Sequence, residues 1–201
     1  MTELLLGTPL NDKQRRFAQA VYRSGESLLE IINDILDFAK IEAGRLELAN
    51  SDFVLRTLVE DTLELMAPRA HEKGLELSFR EAPGLPEVVH GDPLRLRQVL
   101  TNLLSNAVKF TERGEIRLRV RAESGGRLTF EVADTGPGIA AGAEGRLFSD
   151  FSQADSSTSR RFGGTGLGLP IARSTARAHG GDVELVAGAQ GLTARVTLPV
   201  A

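Results

Sequence analysis

Apolar residues near the start of the chain recur at alternating spacings of four and three. The positions in this heptad seam are Phe17, Val21, Ser24, Leu28, Ile31, Ile35 and Phe38. Such spacing predicts a helix that packs along one face. A second row, formed by Leu29, Ile32, Leu36 and Ala39, widens that face beyond what one partner helix covers. We therefore expect a four-helix bundle, although a helix packed on its own domain is the alternative. Gly44 is expected to end the helix.

Helix and strand patterns alternate in a second unit that begins near Ser51. The predicted helices cover 55–72, Asp92 to about Lys109, and Leu169 to about His179, and the predicted strands cover 75–80, Glu115–Ala122, Arg127–Asp134, 182–187 and 192–198. In the second of these strands, Ile116, Leu118 and Val120 alternate with three arginines. One strand face is therefore buried and the other polar. This pattern predicts an α+β fold, a mixed sheet covered by helices on one face.

The chain is therefore divided into a helical segment, residues 1–48, and a second domain, residues 51–201. Within the second domain, the stretch from Gly136 to Gly168 is rich in Gly, Ser and Ala. About thirty residues are too many for a simple connection, so this loop is predicted to be functional or mobile.

Composition narrows the classes of function. The net charge of -3 offers no broad positive field, so nucleic acid is not an expected partner. The absence of cysteine excludes disulfides and thiol chemistry. No apolar run is long enough to span a membrane, and the first residues lack the cationic stretch of a signal peptide. We expect a cytoplasmic molecule without membrane contact, which leaves open a membrane-anchored longer parent.

The helix that begins at Asp92 carries the first candidate site. Asp92 suits the N-cap and Pro93 the first helical position. Asn102 and Asn106 lie four residues apart on one side, and Lys109 follows about one turn later. These side chains could simply face water. Alternatively, an amide oxygen could bind Mg²⁺ while the ammonium meets phosphate.

A second candidate is the carboxylate that ends the strand 127–134. Asp134 has the same parity as Phe130 and Val132, so it should emerge on the buried face, where an ionised carboxylate needs hydrogen-bond donors. The following residues, 135–139, contain two glycines that let a flat ligand approach the backbone. A purine amine is a suitable donor. The alternative is an aspartate that caps a turn.

The third candidate is the glycine-rich sequence 163–168 before a predicted helix. Helix N-terminal amides bind anions, and Pro170 suits a first turn. The sequence is neither a Walker loop nor a dinucleotide fingerprint. Alone it is a weak signal, but the order of the three candidates is specific.

That order resembles the histidine-kinase branch of the ATP-binding superfamily that includes type II topoisomerases, Hsp90 and MutL. Residues 102–111 (NLLSNAVKFT) are similar to its N box, 134–138 (DTGPG) to its G1 box, 148–151 (FSDF) to its F box, and 164–168 (GTGLG) to its G2 box. The helix 31–44 is similar to the second dimerisation helix, especially of hybrid kinases. The resemblance implies a Bergerat-type ATP-binding fold preceded by part of a dimerisation segment.

The resemblance also implies roles for individual residues. Asn106 would hold Mg²⁺, Lys109 would contact phosphate, and Asp134 would accept from the adenine amino group. The pocket and phosphate residues would be Gly136, Gly138, Ile139, Phe148, Gly164, Thr165, Gly166, Leu167 and Gly168. Residues 140–166 would form an ATP lid with Phe148 and Phe151 in its hinge. Asn102 occupies the position of the glutamate that activates water in the ATPase relatives, which favours phosphoryl transfer over hydrolysis.

The family's acceptor sequence, similar to His-Glu-Leu-Arg-Thr-Pro, is missing. The three histidines, His71, His90 and His179, have other sequence contexts. We expect that Met1 follows the acceptor and that the phosphorylated histidine lies outside this sequence. The implied partners are ATP or ADP, a response regulator or receiver domain, and a second copy bound through the N-terminal helix. A non-catalytic nucleotide-sensing or scaffold module and an ATPase remain alternatives.

Overall fold

The computed structural model describes residues 1–139, 142, 146–148, 166–188 and 190–199. The helices are α1 (Thr2–Leu6), α2 (Asp12–Glu42), α3 (Leu55–Glu72), α4 (Pro93–Phe110) and α5 (Gly168–Ala178), and Arg146–Phe148 forms a 3₁₀ turn. The strands are β1 (Ser51–Val54), β2 (Glu76–Glu81), β3 (Val88–Gly91), β4 (Glu115–Glu123), β5 (Arg127–Asp134), β6 (Asp182–Ala187) and β7 (Leu192–Pro199).

Five strands form a mixed sheet in the order β2-β4-β5-β7-β6. β2 runs parallel to β4, and the other neighbours are antiparallel. Helices α3, α4 and α5 pack against one face. The predicted alternation of β4 is confirmed, because Ile116, Leu118 and Val120 are all buried. The predicted α+β fold is therefore confirmed.

The opposite face of this sheet is polar. There the Glu131 carboxylate accepts hydrogen bonds from Arg195 at 2.9 Å and Arg121 at 3.3 Å. Charged side chains thus satisfy one another on the uncovered face, while the apolar side chains of the same strands fill the core.

Helix α4 begins as expected. The Asp92 carboxylate accepts from the Arg95 backbone amide at 3.0 Å, and Pro93 is the first helical residue. The apolar face of α4 is buried: Leu96, Val99, Leu100, Leu103, Leu104 and Ala107. Since one side of α4 lies in the core, its polar residues are held at defined positions beside the sheet.

A second, two-stranded sheet was not predicted. β1 pairs antiparallel with β3, so that Asp52 lies opposite His90. Four-residue strands contain too few positions for a clear alternation of polar and apolar residues. β2 begins one residue later than predicted, at Glu76.

Helix α2 carries the heptad seam. Asn11 and Gln14 form a capping box at its start, and Gly44 follows its end with a φ of +64°. Much of the wide apolar face is exposed: Phe17, Val21, Leu28, Leu29, Ile31, Ile32, Ile35 and Leu36. Among the described residues, no helix is both long and apolar enough to cross a membrane.

Candidate functional site

Two of the predicted elements meet where α4 passes the start of α5. The Asn102 side-chain amide donates to the Gly168 carbonyl oxygen at 3.2 Å, and both residues are half-buried. Asn106, also half-buried, lies one turn further along α4. The polar side of α4 therefore faces the glycine-rich end of the loop before α5, rather than open water alone.

Lys109 lies near the C-terminal end of the same helix. Its ammonium is 5.0 Å from the centre of the Phe110 ring. Burial lowers the pKa of Lys109, because the charged ammonium loses part of its hydration. An anion beside this side chain would favour the charged form again.

Asp134 is half-buried at the end of β5. Its Oδ1 accepts from the Gly136 backbone amide at 2.9 Å, and the Leu192 amide is a second donor to the carboxylate. The turn-capping interaction considered above is therefore present. Burial nevertheless raises the pKa of Asp134 above its usual range, although the two amides act in the opposite direction. Because a carboxylate accepts about four hydrogen bonds, Asp134 can still accept from a ligand.

Three glycines allow the backbone to approach closely around Asp134. A Cβ atom at Gly136 would lie 2.9 Å from Asp134 Oδ1, and one at Gly138 would lie 2.9 Å from the Gly191 carbonyl oxygen. Gly138 also has a φ of +69°. A side chain would close this space, so the glycines keep the wall beside the carboxylate flat.

Two further parts of this pocket were missed in the sequence. Gly191 lies so close that a Cβ atom there would clash with the Asp134 carbonyl oxygen at 1.8 Å. Thr111 is fully buried at the C-cap of α4, and its hydroxyl has no hydrogen-bond partner among the described residues. The hydroxyl would be 3.2 Å from a Cβ atom at Gly136. A buried, unsatisfied hydroxyl next to Asp134 is consistent with a polar ligand or water in this corner.

The glycine-rich loop is described only at its end. Gly166 has a φ of +73°, Leu167 is buried at the N-cap, and Gly168 is the first residue of α5. Pro170 lies in the first turn, as predicted. Gly164 and Thr165 lie outside the described residues.

Two other predicted pocket residues, Ile139 and Phe148, are half-buried and pack against the core. The Arg173 guanidinium lies 4.3 Å from the centre of the Phe148 ring. Phe151 and most of the predicted lid, 140–166, lie outside the described residues. α5 therefore contacts the predicted hinge through Arg173.

No cluster of three or more His, Cys, Asp or Glu side chains that could hold a metal ion occurs in the part of the chain that the structure describes.

Both parts of the chain are similar in sequence to known proteins. The sequence profile of the histidine kinase-, DNA gyrase B- and HSP90-like ATPase family matches residues 91–201, and that of the His Kinase A (phospho-acceptor) domain matches residues 1–44. The signal transduction histidine-protein kinase BarA of Escherichia coli is 47% identical over 186 residues, which cover 90% of this chain and 20% of BarA. The circadian input-output histidine kinase CikA of Synechococcus elongatus is 43% identical over 194 residues, covering 95% of this chain and 26% of CikA.

A solved structure is also similar. Full-length ShkA in complex with AMPPNP has a TM-score of 0.83 and 41% identity, covering 100% of this chain and 42% of ShkA. The chain spans about a fifth of the length of BarA. The profile match, together with the arrangement of α4, β5 and α5, shows that the chain belongs to the histidine kinase-, DNA gyrase B- and HSP90-like ATPase family, in its histidine-kinase branch.

Proposed function

We propose that this chain is the ATP-binding catalytic part of a sensor histidine kinase. It transfers the γ-phosphoryl group of ATP to a histidine outside this sequence, from which the group passes to a response regulator or receiver domain. The observation that carries the proposal is the half-buried Asp134 carboxylate, which retains acceptor capacity beside a wall of glycines.

The adenine base is bound at this carboxylate. Asp134 accepts a hydrogen bond from the adenine amino group, and Gly136 and Gly138 leave room for the flat ring. Ile139 supplies apolar contact at the edge of the core. The ionised carboxylate is the better acceptor here, because protonation turns one of its oxygens into a donor and leaves a weaker acceptor.

The phosphates are bound between α4 and the start of α5. Lys109 contacts them, and the backbone amides of Gly166, Leu167 and Gly168 donate to their oxygens at the N-terminus of α5. By resemblance, Gly164 and Thr165 belong to the same loop. Binding of phosphate would offset the desolvation that lowers the pKa of Lys109.

Asn106 is the protein ligand for Mg²⁺. One amide oxygen is enough, because Mg²⁺ usually takes one or two protein oxygens and completes its shell with phosphate and water. The bound ion would neutralise charge on the phosphates as the group is transferred.

Asn102 positions the start of α5 relative to α4. Its side-chain amide cannot remove a proton from water, and it donates to the Gly168 carbonyl. The bond holds the start of α5 against α4, so the phosphate-binding amides keep a constant distance from Asn106 and Lys109. Because Asn102 cannot act as a general base toward water, the site favours phosphoryl transfer over hydrolysis.

The helical segment indicates that the acceptor histidine lies outside this sequence and that the partner is a second copy of the chain. Residues 1–44 match a phospho-acceptor domain but contain no histidine. The exposed apolar face of α2 binds a second copy of the chain, which completes the bundle. The catalytic part acts in the cytoplasm.

Incubation with γ-labelled ATP, Mg²⁺ and a separately made acceptor helix pair tests the proposal. We expect acid-labile phosphate on the acceptor histidine, and less of it with the Asp134→Asn variant when ATP is not saturating. Release of free phosphate without transfer would indicate an ATPase instead. Binding of ATP with neither product would indicate a nucleotide-sensing module.

A further inference from the structure

Lys73 forms an unusual set of contacts with the end of a helix distant from it in sequence. Its ammonium donates to the carbonyl oxygens of Val108 at 2.7 Å, Lys109 at 2.8 Å and Thr111 at 3.3 Å. The last carbonyls of a helix have no partner within the helix. A lysine offers three donors, so Lys73 can satisfy all three oxygens at once. Its positive charge also opposes the negative end of the α4 dipole.

The backbone of Lys73 is itself held in place. Lys73 is the C-cap of α3, and its amide donates to the Ala70 carbonyl oxygen at 3.1 Å. The Leu75 amide donates to the same oxygen at 2.9 Å, around Gly74 with a φ of +66°. The ammonium thus extends from a helix end whose backbone is held by two hydrogen bonds, so it can restrain the end of α4.

That end of α4 belongs to the proposed nucleotide site. It carries Lys109, and the next residues lead to the buried Thr111 hydroxyl beside Gly136 and Asp134. If the last turn of α4 frayed, both side chains would move relative to the Asp134 carboxylate. Lys73 therefore influences the site through the backbone of α4.

We propose that Lys73 is a positioning residue for nucleotide binding: it holds the last turn of α4 in the binding-competent arrangement before the ligand arrives. The inference rests on the nucleotide site proposed above. A purely structural cap would contribute to the free energy of unfolding without changing affinity in the folded protein. A positioning residue changes the fraction of folded molecules that can bind, and the apparent affinity is proportional to that fraction.

Lys73→Met and Lys73→Arg distinguish these possibilities. Affinity for Mg-ADP is measured by calorimetry at a temperature where thermal unfolding shows each variant to be folded. We expect about five- to tenfold weaker binding for Lys73→Met. Lys73→Arg should recover part of the affinity, because its guanidinium also donates to carbonyl oxygens. Hydrogen exchange across 107–111 should be faster in Lys73→Met than in the wild type.

Arg97→Met is the matched control. Arg97 also links α4 to α3, through Asp61 at 2.9 Å, but it lies near the start of α4. The control should keep wild-type affinity and normal exchange across 107–111. Unchanged affinity in Lys73→Met, or an equal loss in Arg97→Met, would overturn the positioning role. Failure of the wild-type chain to bind Mg-ADP would instead refute the proposed function, and the positioning role with it.

Discussion

The Asp37 carboxylate of α2 pairs with the Arg95 guanidinium of α4 at 2.8 Å, and each side chain is only 15% exposed. The Gln98 amide donates to the same carboxylate at 2.6 Å. Nearby, the Ala49 backbone amide donates to Asp92 at 2.9 Å. The helical segment and the connection after it are therefore both attached to the start of α4.

Replacing Asp37 with alanine should loosen this attachment. The change leaves Arg95 half-buried without its carboxylate, and we expect the interaction between α2 and α4 to weaken by about 1–3 kcal/mol. Limited proteolysis within 43–50 should become faster. Glu42→Ala, at an exposed position near the end of α2, is the control. Equal cleavage rates for the two variants would contradict a role for the ion pair.

Asp134→Asn should weaken ATP binding by roughly 1–3 kcal/mol, because an amide can donate where an acceptor is needed. Calorimetry measures the loss directly, and Asp52→Asn, with an exposed carboxylate outside the pocket, should bind normally. Wild-type affinity for Asp134→Asn would remove this carboxylate from the adenine site.

Nucleotide affinity should also depend on pH through Asp134. Burial raises the pKa of this carboxyl, so the folded protein holds the proton to a higher pH than the unfolded chain does. The contribution of Asp134 to stability is therefore full below the unfolded pKa and is lost as pH rises through the folded pKa. Nucleotide binding has the opposite dependence, since the ionised carboxylate is the stronger acceptor.

Acidification should consequently weaken adenine binding at a higher pH than that at which an exposed aspartate titrates. Binding of adenosine, which has no phosphate groups to titrate, is the appropriate measurement. Its pH dependence in this window should disappear in Asp134→Asn. If the variant and the wild type show the same dependence, another group is responsible.

Asn106→Ala should weaken binding of Mg-ATP more than binding of ATP without metal, because alanine has no side-chain oxygen to coordinate the ion. Titrations with and without excess chelator provide the comparison. Equal reductions in affinity under both conditions would mean that Asn106 binds the nucleotide directly or supports the fold.

Self-association should occur through the exposed face of α2. Ile35 is 48% exposed in a wide apolar face, and such a surface favours pairing with another apolar surface. Ile35→Glu should shift sedimentation at high concentration towards the monomer without changing ATP affinity. Gln19→Glu adds the same charge at an exposed position outside the seam and should leave association intact. A strictly monomeric wild type would refute the interface.

The spacing of apolar and polar residues along the sequence determined much of the fold. The apolar positions of α4 and the alternation in β4 identified the faces that are buried, because side-chain direction follows helix and strand geometry. The order of the asparagine helix, the strand ending at Asp134 and the glycine-rich sequence indicated the family. The pairing of β1 with β3 was not predicted, because a four-residue strand is too short to show a clear alternation of polar and apolar residues.

Only the tertiary structure decided which distant residues complete the site. Gly191 approaches Asp134 because β7 pairs with β5, and Lys73 reaches the end of α4 because α3 packs beside it. The Thr111 hydroxyl likewise meets Gly136 only in the folded chain. The spacing of apolar residues specifies the face of its own helix or strand on which a side chain lies. It does not specify which element packs opposite, because that choice depends on how buried surfaces fit together throughout the domain.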